Sequence, residues 1–243
     1  MRMRAFAFRN LRELIRDPMM LVFFLGFPVI LLVLLSVIQR NVSVELFVLS
    51  KLTPGMAVFG LSFLSLFAGT LVARDCGSSF LMRLLTTPMT ATDFMGGYLL
   101  PLVPAAAGQC AVCFLTAILL GLAPCLNMLL CLPVLLPVAV FFTAAGLLLG
   151  TVCSEKAVSG AASLLVNVAA WLSGIWFDLS LIGGVFEQIC RFLPFAAAVQ
   201  AAQLALAGDW AGALEPFLLT LLWSGLLLGL TVWLFHRRVS APA

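Results

Sequence analysis

Runs of about twenty apolar residues, repeated along the chain, constrain it more than any motif does. The first extends from Met19 to Ile38 with no charge inside it. A helix of that length crosses the ~30 Å hydrocarbon layer of a bilayer, at about 1.5 Å of rise per residue. Composition agrees. Of 243 residues, 63% are hydrophobic and 9% charged, and the mean hydropathy is +1.19. Soluble domains carry about 25% charged residues. The sequence predicts an all-α polytopic membrane protein.

Six spans are expected, at about residues 19–38, 52–72, 94–120, 126–152, 157–176 and 214–235, within a single transmembrane domain covering 1–243. The first run exceeds the ~7–15-residue core of a signal peptide and is read as a retained span. Asp17-Pro18 predicts an N-cap and first-turn proline for span one, and Thr53-Pro54 predicts the same for span two. Thr90 and Asp93 predict a capping-box start for span three. Between spans five and six, Gly183-Gly184, Pro194 and Gly208 break the apolar sequence into short pieces. Residues 179–209 are therefore expected to form external re-entrant helices rather than a further pair of spans.

Ahead of span one, Phe6, Phe8, Leu11, Leu14 and Ile15 alternate with Arg4, Arg9, Arg12 and Arg16. That pattern predicts an amphipathic helix lying at the membrane interface against anionic lipid, or in a groove of a partner protein. Orientation follows from the basic residues. Arg2, Arg4, Arg9, Arg12, Arg16, Arg74, Arg83, Lys156, Arg237 and Arg238 fall on one side, and only Arg40, Lys51 and Arg191 on the other. The excess predicts cytoplasmic N- and C-termini.

Several chemistries are disfavoured. No charge falls clearly inside a span, which argues against a proton- or sodium-coupled carrier and against a membrane enzyme. No G-x-x-x-x-G-K-[ST] stretch occurs, so the chain is not expected to bind or hydrolyse ATP itself. The seven cysteines lie in or beside apolar runs and read as small buried hydrophobes; the lone pair Cys110 and Cys113 is not expected to bind metal. Neither a cofactor nor a nucleic-acid partner is expected. The mild polar residues Ser62, Ser65, Asn167 and Ser173 fit either of two roles, bonding helices together or lining a path. Gly146-x-x-x-Gly150 and Gly225-x-x-x-Gly229 both permit close helix contact.

The stretch RDCGSSFLMRLLTTPMTATDF, from Arg74 to Phe94, interrupts the apolar pattern on the cytoplasmic side. From Ser79 its pattern is helical, with Phe80, Leu81, Leu84 and Leu85 on one face and Arg83 on the other.

Three blocks, in order, resemble the membrane subunit of type-2 ABC exporters. The first is ELIRDPMMLVFFLGFPVILLVLL, similar to that family's entry helix, Asp-Pro junction and proline-bearing first span. In the second, Gly77, Phe80, Leu81, Arg83, Leu84, Thr87 and Pro88 resemble its G…L-x-R-L-x-x-T-P segment. The third, LSGIWFDLSLIGGVFEQICRFLPFAAAVQAAQLALAGDW, resembles the end of its fifth span, its external re-entrant helices and its L-P-F…A…G-D block.

The resemblance implies an export permease in the plasma membrane of a bacterial cell. Two copies, or one copy and a paralogue, would pair as a homo- or heterodimer, each resting on a separate cytoplasmic ABC ATPase. Residues 74–90 would form the coupling helix, with Arg74, Phe80, Leu81, Arg83, Leu84, Leu85 and Pro88 meeting the ATPase. The path would lie between the copies along spans one, two and five, and would suit a drug, antibiotic peptide or lipid-like cargo. A non-transporting immunity or sensor subunit that recruits an ATPase remains the alternative, with a stand-alone channel or carrier as a third reading.

Overall fold

A computed structural model describes residues 2–42, 47–78 and 91–240, with no strand among the described residues. Helix α1 (Arg2–Arg16) leads to Asp17, whose carboxylate accepts the Met20 N–H at 3.2 Å while Pro18 takes the first helical position. The Asp-Pro pair starts the span as expected. Helix α2 (Pro18–Leu21), a π-helical turn (Val22–Gly26) and α3 (Phe27–Asn41) then form one apolar span. Phe27 N–H reaches back five residues to Val22 O, immediately before Pro28, which has no N–H to donate.

The remaining helices are α4 (Leu49–Gly77), α5 (Ala91–Leu119), α6 (Leu126–Val152), α7 (Glu155–Leu172), α8 (Gly184–Phe192), α9 (Pro194–Ala207) and α10 (Trp210–Ser240). Five spans among the described residues are long and apolar enough to cross a membrane: Pro18–Asn41, Leu49–Gly77, Asp93–Leu119, Leu126–Val152 and Trp210–Arg237. A sixth follows if α8 and α9, bent by 76° at Leu193-Pro194, count as one. Helix α7 stands outside the five. Its 18 residues start with Glu155-Lys156 and end when Ser173 and Gly174 (φ 75°) turn the chain, four residues short of the expected 176.

Two expected boundaries move. Helix α4 begins at Leu49, so Thr53-Pro54 lies a turn inside it, and the Thr53 hydroxyl donates to Leu49 O at 2.7 Å rather than capping. At its other end α4 continues to Gly77, so Arg74 and Asp75 belong to its last turn and not to a separate helix starting at 74. Thr90 lies outside the described residues; Asp93 falls in the first turn of α5.

Helix α4 is the centre of the bundle, buried continuously from Leu52 to Ser65. Helix α6 approaches it most closely where Gly146 meets Ser65 and Ala68, and Gly150 meets Gly69 and Val72. A Cβ on Gly146 would overlap the Ser65 backbone, so the contact requires glycine. Gly225 and Gly229 of α10 have nothing within 4 Å of where a Cβ would stand.

The single apolar face expected of α1 divides in two. Phe6 and Leu14 are buried, and Phe6 stacks on Phe94 of α5 at 5.4 Å. Phe8 and Ile15 point away, 54% and 59% exposed, and the Arg12 guanidinium sits 4.5 Å from the Phe8 ring centroid. One face of α1 is core and the other is surface.

Candidate functional site

Two polar features meet at the end of the bundle that carries α1. The first is a knot of side chains around Asp75, which is only 2% exposed although it is charged. Burying a carboxylate is costly unless it is fully paired. Here Arg9 donates to both oxygens, Nη1 to Oδ2 at 2.7 Å and Nη2 to Oδ1 at 3.0 Å, and the Tyr98 hydroxyl donates to Oδ2 at 2.6 Å. Asn10 Nδ2 donates to Gly97 O at 3.1 Å. The Phe6 ring fills the space that a Cβ on Gly97 would need.

Glu13, one turn further along α1, accepts from Arg9 at 2.8 Å and from Arg74. Asp75, first by its hydrogen bond and then by its charge, with Glu13 adding to it, holds the Arg9 guanidinium above its ordinary pKa against partial burial. Three helices are thereby fastened: α1 through Arg9, Asn10 and Glu13, α4 through Arg74 and Asp75, and α5 through Gly97 and Tyr98. Phe94 extends the junction to α10 by stacking on Phe235 at 4.5 Å. The knot ends one residue before Cys76-Gly77-Ser78, the last described residues ahead of 79–90.

The second feature is a groove of about 920 Å³ between the first span, α4 and α7. Phe23, Phe63 and Phe67 give it aromatic walls, and Thr70, Ser159 and Ser163 give it hydroxyls. Charges gather at one end, where Glu13, Arg16, Asp17, Arg74 and Glu155 surround the mouth. At the other end Phe23 and Phe63 lie 6.1 Å apart, and the rings of Phe27, Phe59 and Trp176 continue the cluster beyond them.

The four residues proposed for a path do not line this groove. Ser62 and Ser65 are buried and donate to Phe59 O at 2.6 Å and Ser62 O at 2.7 Å of their own helix. Ser173 does the same with Ala170 O at 2.8 Å. Ser62 and Ser173 do come together, on a separate cavity of about 10 Å³ beside Phe59. Asn167 is exposed on α7 and donates to Ser163 O at 2.9 Å.

Of the coupling residues, Arg74 is described and pairs with Glu13, leaving Asp75 to Arg9 and Tyr98. Phe80, Leu81, Arg83, Leu84, Leu85 and Pro88 lie outside the described residues. Sequence reasoning missed the groove's own serines. Ser159, Ser163 and Asn167 recur every four residues on one exposed face of α7, a polar stripe that a membrane helix does not carry toward lipid without cost.

Long apolar helices around a packed central span, with a charged junction at one end and a deep side groove, define a multi-pass membrane protein. Residues 1–206 match the family model described as ABC-2 type transporter. The chain belongs to that family and is the membrane-embedded permease component of an ABC transporter. No curated protein gives a significant match to it.

Proposed function

We propose that the chain is the permease half of an ATP-driven exporter, working as a dimer on two separate cytoplasmic ATPase subunits. Both termini lie in the cytoplasm on this reading, as the basic residues indicate. The observation that carries it is the Asp75 knot. It ties α1 rigidly to α4 and α5 beside residues 79–90, so a push delivered there by a closing ATPase reaches the central span through charged hydrogen bonds.

Phe80, Leu81, Leu84 and Leu85 would fill the ATPase groove, with Arg83 at its rim and Pro88 ending the helix. The groove between the first span, α4 and α7 would form this copy's share of the translocation path, completed by the second copy across the exposed stripe of α7. Its aromatic walls suit an apolar or amphipathic cargo such as a drug, an antibiotic peptide or a lipid-like molecule.

The test is reconstitution of the chain in proteoliposomes with an ABC ATPase subunit that co-purifies with it. ATP-dependent movement of an amphipathic dye, lost when the ATPase's catalytic glutamate is replaced, is the expected result. ATPase activity indifferent to the presence of the chain would reject the exporter reading.

A further inference from the structure

The groove has a depth, a polarity gradient and exposed polar groups with no partner among the described residues, which together specify a ligand. Depth follows from residue spacing at about 1.5 Å per residue. Glu155 to Ser163 is about 12 Å along α7, and Arg74 to Phe63 is about 16 Å along α4. Half of a ~30 Å hydrocarbon layer is about 15 Å, so the groove runs the thickness of one leaflet and stops at the Phe23–Phe63 contact.

Two of its three hydroxyls differ from most others in the spans. Thr53, Ser62, Ser65, Thr70, Thr116, Ser173 and Thr220 each donate to a carbonyl of the helix they stand on or end. The hydroxyls of Ser159 and Ser163 bond no group among the described residues. They face the groove about 6 and 12 Å in from Glu155 along α7.

The mouth carries charges of both signs. Glu13 and Arg74 neutralise one another, and Asp17 caps Met20. Arg16 and Glu155 form no ion pair among the described residues and stand at the same rim. A cation and an anion with no ion pair among the described residues together favour a head group that brings both partners. A singly charged head would leave one of them unanswered.

We infer that this groove binds a zwitterionic amphiphile of one-leaflet length. Its cationic group meets Glu155 and its anionic group meets Arg16; its polar neck reaches Ser159 and Ser163, and its apolar body lies on Phe23, Phe63 and Phe67. The inference rests on the export reading for its transport meaning, but binding is measurable without it.

The test uses the full chain in maltoside micelles with Phe67→Trp as reporter, the unsubstituted chain supplying the background from its other tryptophans. Three quenchers share one tail-brominated dodecyl chain and differ in head: phosphocholine, trimethylammonium and maltose. Saturable quenching of the reporter is expected, with the phosphocholine probe binding about three- to fivefold more tightly than trimethylammonium, the size of one partly exposed ion pair, and about ten- to twentyfold more tightly than maltose, the size of two. Arg16→Gln should erase its advantage over trimethylammonium, and the double variant Arg16→Gln/Glu155→Gln its advantage over maltose. Unchanged binding of the maltose probe shows that either variant is folded.

A tail-brominated two-chain phosphatidylcholine separates sources. Saturation by both zwitterions assigns the site to a membrane lipid, and saturation by the single-chain probe alone assigns it to a single-chain amphiphile. Linear quenching, equal affinity for all heads, or no response to the two charge variants overturns the inference. Head-selective binding without ATP-driven movement would reject the exporter and leave this site standing. ATP-driven movement without head selectivity would do the reverse.

Discussion

Tyr98 of α5 donates its hydroxyl to Asp75 of α4 at 2.6 Å, and the same carboxylate is gripped from its other side by Arg9 of α1. One buried charge thus serves three helices. Removing it leaves a guanidinium that is about a third exposed and has lost its principal partner.

Asp75→Ala should therefore lower stability by about 2 kcal/mol, less than a fully buried pair because water reaches Arg9. Tyr98→Phe removes one hydrogen bond to a charged group and should cost about 1.5 kcal/mol. Thermal unfolding of the purified chain in detergent measures both. The double variant Arg9→Ala/Asp75→Ala should be less destabilised than the two single losses summed. Strict additivity would show that the two side chains do not act as a pair.

The two glycine pairs should respond oppositely to the same change. Gly146→Leu forces a side chain into the Ser65 backbone and should destabilise by about 3 kcal/mol, at the upper end of overpacking costs. Gly225→Leu meets open space and should leave the unfolding temperature near that of the parent. Equal losses at both sites would refute the assignment of Gly146 to the α4–α6 contact.

Gly60 admits the Gln109 amide, which otherwise donates to Cys113 Sγ at 3.3 Å. Gly60→Ala should destabilise by about 1–3 kcal/mol, because the new methyl overlaps Gln109 and presses on Pro28. Adding Gln109→Ala should recover part of that loss by opening the space. The same unfolding measurement reads it, and no recovery would move the clash elsewhere.

Leu84→Asp places a charge where the proposed ATPase groove expects an apolar side chain. Insertion and yield should be unchanged, while ATP-driven transport falls at least tenfold and hydrolysis persists. Full transport by this variant would remove residues 80–85 from the coupling role.

How much of this was legible in the sequence depends on how local each cause is. Five of the six expected spans have long apolar helices in their place because length and hydropathy belong to a single helix, and Leu126–Val152 ends where the pattern says it should. Asp17-Pro18 was legible because a cap is decided within four residues. Thr53-Pro54 carried the same wording and was not a start, because the helix had already begun at Leu49.

The site was less legible. Nothing near Asp75 in the sequence names Arg9 or Tyr98, which lie 66 residues before it and 23 after it. Gly146 and Gly225 share one motif, and only the packing of α4 separates the used from the unused. Ser62 and Ser65 stood out as polar residues in a span, but they spend their hydroxyls on their own helix. Ser159 and Ser163 were visible as a stripe at helical spacing, yet the groove that gives them a purpose is built from helices distant in the chain.

The knot also sets a timetable. Asn10 leaves the ribosome 87 residues before the Gly97 carbonyl it bonds. At about 5–20 residues per second, α1 waits roughly 4 to 17 seconds for its seat to be synthesised. During that interval its core face, Phe6 and Leu14, is as bare as its outer face. The arginines alternating with those apolar residues would let the nascent helix rest at the membrane surface, a lipid-bound peptide before it becomes part of a bundle.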